Sequence, residues 1–116
     1  MAIQNWSDKI VVADLGEDPL FTDELSSLTD NLEGRASHVI LNFAGVGFIN
    51  SSNIAKLLRL RKQVASQKSR LILCGVNSLV FGVLLVTGLD KIFEFAGDVA
   101  TALTTVQLGT PVAVKQ

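Results

Sequence analysis

The chain has 116 residues, 48% of them apolar, with 11 acidic and 10 basic side chains and a formal net charge of −1. That length suits one domain able to bury roughly two-thirds of the surface its unfolded form exposes, and the apolar content argues against disorder. Near-neutral charge argues against a general nucleic-acid binder; the lone cysteine, Cys74, excludes an internal disulfide and a cysteine zinc cage; the lone histidine, His38, excludes a histidine-rich metal site.

The opening "MAIQNWSDK" has no basic-then-apolar pattern, so no secretory signal is expected. Residues 2–7 and 9–15 read as two short strands; "KIVVADL" is rich in β-branched residues and stops at Gly16. Trp6 is expected to pack against or cap the sheet. In "EDPLFTDELSSLTDNLEG" the period changes: Leu20, Phe21, Leu25, Leu28 and Leu32 share one helical face, and Gly34 supplies a stop. "SHVILNFAGV" is a continuous apolar run of strand length, as a central strand covered on both faces requires.

From Ile54 a second helix repeats through Leu57, Leu58, Arg61, Val64 and Ala65 and should end near Gln67. "RLILCGV" reads as another buried strand. "NSLVFGVLLVTGL" opens on Asn77 or Ser78, both good N-cap residues, and closes at Gly88. "KIFEFA" reads as a short strand, "GDVATALTTVQL" as a final helix, and "GTPVAVKQ" as a loose tail. The longest apolar stretch, residues 79–89, is interrupted by Gly82, Thr87 and Gly88 and falls short of the ~18 residues a membrane span needs. Alternating strands and helices give an α/β fold. The expected architecture is a four- to five-stranded, mainly parallel mixed sheet with right-handed crossovers and about four helices. Its expected bounds are one domain over residues 1–108 and a tail over 109–116, in a cytoplasmic protein.

Charge is laid out unevenly. Asp8, Asp14, Glu17, Asp18, Asp23, Glu24, Asp30 and Glu33 crowd the first third, and Lys56, Arg59, Arg61, Lys62, Lys68 and Arg70 the middle. Solvated helix faces account for such runs; a partner surface is the sharper reading.

No catalytic set emerges. "GVGFIN" follows a strand and precedes a helix, where a dinucleotide-binding loop would sit, but Asn50 stands in place of the third glycine. Residues 75–82 offer no lysine at phosphate-loop spacing. His38, at a strand start, reads as a surface or strand-edge residue, and Cys74, inside an apolar strand, as a small buried hydrophobe. Neither an enzyme nor a cofactor is expected.

The informative stretch is "GVGFINSSNIAKLL", which runs from a strand into a helix with two serines at the junction. Asn and Ser both cap helices, because their side-chain oxygens satisfy N–H groups that the first turn leaves free, so helix initiation alone explains "NSSN". A helix start also accommodates a phosphate, and phosphoserine adds roughly −1.5 to −2 charges, enough to break an interface. One serine can do both jobs.

Here the chain resembles a STAS domain, specifically the stand-alone bacterial anti-sigma factor antagonists. That family carries a hydrophobic strand, then Gly-Val-x-Phe-Ile-Asp-Ser-Ser-Gly-Leu, then a Leu/Arg-rich helix; this chain reads "HVILNFAGVGFINSSNIAKLLRLRKQ". "RLILCGVNSLVFGVLLVTGLDKIFEFAGDVATAL" resembles the family's next strand, its apolar third helix, the Thr-Gly-Leu-Asp turn and the closing helix. The resemblance implies an unphosphorylated protein that binds an anti-sigma factor, often a serine kinase, and so frees a sigma factor. Phosphorylation stops the binding and a phosphatase reverses it. The acceptor falls on Ser52, with Ser51 as second choice. Phe48, Ile49, Asn50, Ser51, Asn53, Lys56, Arg59 and Lys62 are the implied partner-binding residues, with Phe48 and Ile49 as exposed apolar centre. Three positions depart from the pattern: Asn50 and Asn42 replace aspartates, and Asn53 replaces a glycine. Those departures leave a second function open, a non-phosphorylated scaffold or adaptor, stressosome-like or transporter-associated. A small-ligand or nucleotide-binding domain is a third. No nucleic acid is expected as a partner, and the oligomeric expectation is a monomer or weak homodimer.

Overall fold

The computed structural model describes residues 3–7, 9–32 and 37–108, with residues 4–7 described through their backbone. The expected stop at Gly34, the side chain of Trp6, the acids Asp8 and Glu33, and the tail 109–116 lie outside the described residues. Five strands and four helices follow in the order β1 (Ile3–Ser7), β2 (Ile10–Asp14), α1 (Leu20–Asn31), β3 (His38–Asn42), α2 (Ser51–Ser66), β4 (Leu71–Cys74), α3 (Ser78–Val86), β5 (Glu94–Ala96) and α4 (Val99–Leu108). A 3-10 turn, Leu89–Lys91, precedes β5. The strand expected over "KIFEFA" therefore starts later, because its first residues are spent in that turn.

The strands lie in sequence order, β1-β2-β3-β4-β5. Only β1 runs antiparallel to its neighbour; β2 to β5 are parallel, with Val12, Ile40, Ile72 and Glu94 in one row across the sheet. The mainly parallel α/β architecture expected from the sequence is the one observed.

Strand alternation divides the core. Val11, Ala13, Val39, Leu41, Leu71 and Leu73 face a layer built by α1, α2 and α3, while Ile10, Val12, Ile40, Ile72 and Cys74 face α4. Both faces of β3 and β4 are thus covered, which is why those strands read as unbroken apolar runs. Phe21 of α1 meets Phe43 edge to face, ring centroids 5.8 Å apart, and so ties α1 to the turn leaving β3.

Helix α2 buries Asn53, Leu57, Leu60 and Val64, a stripe at spacings of four and three. Of the expected stripe, Leu57 and Val64 are buried and Leu58 is half-buried, whereas Arg61 and Ala65 fall outside the buried face. Arg61 instead donates through Nε to the Ile92 carbonyl at 3.1 Å, and Ala65 is exposed. Helix α3 starts on Asn77, whose Oδ1 accepts from Val80 N at 2.7 Å, and ends at Gly88 in the left-handed region at φ 78°. It buries Val80 and Leu84 and leaves Leu79, Leu85 and Val86 exposed. Among the described residues, no helix is long and apolar enough to cross a membrane.

Replacing Leu57 by Ala should cost about 2–5 kcal/mol, the range for deleting a fully buried leucine. Val86, 87% exposed, should tolerate Ala within about 0.5 kcal/mol. Urea unfolding of both variants measures the contrast.

Candidate functional site

The loop from β3 to α2 gathers at the carboxyl ends of the parallel strands. Phe43 N donates to the Cys74 carbonyl at 2.8 Å, and Val46 N closes a turn onto Phe43 O at 2.9 Å. Val46 and Ile49 are buried and anchor the loop on either side of Phe48, which is 53% exposed. The two glycines permit close approach. A Cβ on Gly45 would lie 3.0 Å from the Leu15 carbonyl, and one on Gly47 only 2.8 Å from Glu17 Oε2. Gly47 N donates to that same carboxylate oxygen at 2.6 Å. A dinucleotide loop would offer such an amide to a pyrophosphate; here it already holds an anion, so the glycines serve the contact with the β2–α1 connection. Asn77, the α3 cap, reaches the same loop, its Nδ2 donating to the carbonyls of Val46 at 3.3 Å and Gly47 at 3.4 Å.

Helix α2 begins in a reciprocal box. Asn50 is the N-cap: its Oδ1 accepts from Asn53 N at 2.9 Å, while Asn53 Oδ1 accepts from Asn50 N at 3.0 Å. Asn53 is 3% exposed, and its Nδ2 donates to Asp18 Oδ2 at 2.9 Å. Asp18 Oδ1 accepts from Thr22 N at 3.1 Å and Thr22 Oγ1 at 2.8 Å in the first turn of α1. One carboxylate thus ties the starts of both helices. The Asn53 amide, and then Thr22, hold Asp18 below the ordinary aspartate value of 3.8.

With Asn53 turned inward, Ser51 and Ser52 are exposed. Ser52, Ala55, Lys56 and Arg59 line a shallow groove of about 260 Å³ on α2. Lys56 is half-buried, and Arg59 and Lys62 are exposed.

The structure separates the expected partner residues. Phe48, Asn50, Ser51, Lys56, Arg59 and Lys62 reach solvent fully or in part. Ile49, 1% exposed, is a core side chain and not part of an exposed apolar centre. Asn53 is likewise withdrawn, its side chain spent on the box and on Asp18. The three asparagines now have a physical account. Asn42 Nδ2 donates to Asp14 Oδ1 at 2.9 Å, Asn53 Nδ2 donates to Asp18 Oδ2, and Asn50 caps α2 close enough to Asp18 to help hold its carboxyl down. An aspartate at position 42 or 50 would set two carboxylates against each other. Sequence reasoning missed Glu17, Asp14 and Asp18 as parts of this site; the only signal was their crowding in the first third.

The remaining ionisable candidates lie elsewhere. His38 opens the central strand, at the strand start where the sequence puts it, and is half-buried there. Its Nδ1 accepts from Arg70 N at 3.0 Å, and burial, then the Arg70 charge, lowers its pKa. Cys74 is buried, and desolvation raises its thiol to about 11.

A family model described as STAS domain matches residues 14–102. Among solved structures, an anti-sigma-factor antagonist (STAS) domain protein from Planctomyces limnophilus is 20% identical, with TM-score 0.80 over 91% of this chain and 97% of that one. The anti-sigma factor antagonist SpoIIAA in its unphosphorylated form is 19% identical, with TM-score 0.78 over 98% of each chain. A sulfate transporter family protein from Wolinella succinogenes is 19% identical, with TM-score 0.71 over 86% of this chain and 84% of that one. At these identities the likeness is one of fold.

Asn53→Ala should destabilise the protein by about 1–3 kcal/mol in urea unfolding, since it strands the Asn50 amide and removes a donor from Asp18. The Asp18 contribution has a defined sign. Because its folded pKa is depressed, it stabilises above the ordinary value of 3.8 and is lost as pH falls through the folded pKa. The stability gap between wild type and Asp18→Asn should therefore narrow on acidification below about pH 4, followed by unfolding at stepped pH.

Proposed function

The chain belongs to the STAS domain family, and from that premise we propose that it is an anti-sigma factor antagonist. In its unphosphorylated form it binds a serine-kinase-type anti-sigma factor in the cytoplasm, as a monomer or weak homodimer, and so releases a sigma factor for transcription. Phosphate on Ser52 ends the binding, and a phosphatase restores it.

The observation that carries this reading is the exposure of Ser52 on the first turn of α2, beside a buried Asn53 that fixes the turn. The serine oxygen attacks the γ-phosphorus of ATP, the bond to the ADP oxygen breaks, and the hydroxyl proton leaves to a base of the kinase. Ser51, equally exposed, is the second choice.

The docking surface comprises Phe48, Asn50, Ser51, Lys56, Arg59 and Lys62. Phe48 supplies an aromatic anchor of the kind in which interface energy concentrates. Lys56, Arg59 and Lys62 meet an acidic face of the partner and speed encounter. A dianion placed among them repels that face, and like charges across an interface cost several kcal/mol.

A second reading, an adaptor that is not phosphorylated, takes support from the fold likeness to the sulfate transporter family protein. Ser52→Ala should bind the anti-sigma factor as wild type does, while Ser52→Asp should weaken binding at least tenfold, about 1.4 kcal/mol, by calorimetry. Equal binding of the two variants favours the adaptor.

A further inference from the structure

We propose that Lys56 and Arg59 form a receptor in cis for a phosphate on Ser52, an inference that rests on the reading of Ser52 as the acceptor. The three side chains line one groove of about 260 Å³. Their spacing explains why: at about 100° per residue, Lys56 and Arg59 fall within about 40° of Ser52 around α2. Side chains on a helix lean toward its N-terminus, so the Lys56 ammonium is carried back over the turn that bears Ser52.

Both cations are available. Within the described residues, no hydrogen bond or ion pair engages Lys56 or Arg59. They also line a second groove, of about 290 Å³, between α1 and α2, together with Ser26, Thr29, Asp30 and Gln63. Among the described residues lining the two grooves, the ionisable groups are Lys56, Arg59 and Asp30, and Asp18 stands at the head of α2. Asp18 is occupied by Asn53 and Thr22. Asp30 is the competing anion, and a phosphate outmatches it by charge and by three acceptor oxygens. An arginine fork takes two of those oxygens at once.

Ser51 has no such receptor. One turn on from it stands Ala55 and two turns on stands Leu58, so the groove distinguishes the two adjacent hydroxyls. The arrangement also gives the switch a second mode of action. Two cations that would face an acidic partner are taken up by the protein's own phosphate, so modification removes the attraction as well as adding repulsion.

The test uses the full chain carrying phosphoserine at position 52 by site-specific incorporation, and follows the phosphate by phosphorus NMR against pH. The second ionisation of a free phosphoserine lies near about 6. The receptor should lower it by about half a unit or more relative to the same phosphoprotein with Lys56→Gln and Arg59→Gln, because opposite charges favour the dianion. Both proteins share the helix start, so the difference isolates the two side chains. Phosphoserine at position 51 should show no comparable gap. Coincident titration curves with and without the cations, or an equal gap at position 51, would overturn the proposal. Anti-sigma factor binding is a separate readout: a phosphate held by the two cations that left binding unchanged would sink the switch and keep the receptor.

Discussion

The arrangement at the head of α2 turns on one buried amide. Asn53 gives its oxygen to the backbone of Asn50 and its nitrogen to Asp18, so the first turn of the helix has one rotational setting. Leu57, Leu60 and Val64 then follow inward at helical spacing, and Ser51 and Ser52 are carried outward. A small residue at position 53 would leave that setting to packing and to the Asn50 cap on the backbone. A buried polar group that is fully hydrogen-bonded specifies orientation in a way that an apolar one of similar size cannot.

The charges around the site are arranged in the same spirit. Acids come from the β2–α1 side, as Asp14, Glu17 and Asp18, and each meets a donor from the β3–α2 side: Asn42, the Gly47 amide and Asn53. Cations lie further along α2, on the far side of Ser52. The serines therefore stand at the boundary between an acidic rim engaged in holding the fold and a basic pair, Lys56 and Arg59, with no partner among the described residues. Added negative charge at that boundary has somewhere to go, toward Lys56 and Arg59. That division of labour lets one short segment serve both stability and recognition.

Much of this was legible in the sequence. Apolar runs located β3 and β4, the change of period located α1, and Asn77 and Gly88 marked the ends of α3. The errors have physical causes. Leu57 and Val64 lie on the inner face as their spacing suggests, but that face is widened by Leu60 rather than by Arg61, a choice the apolar spacing alone leaves open. Ile49 looked exposed beside Phe48, but a loop anchored at both ends alternates, and only one of two adjacent apolar residues faces water. The role of Asp18 was out of reach, because its partner lies 35 residues away and no local pattern records that contact.

The most direct test of the account is to map where phosphate arrives. The chain is incubated with ATP and the serine kinase that captures it, then digested and sequenced by tandem mass spectrometry. The account requires the modified peptide to carry phosphate on Ser52. Phosphate confined to Ser51 or to another element, or a captured kinase that leaves the chain unmodified, would contradict it.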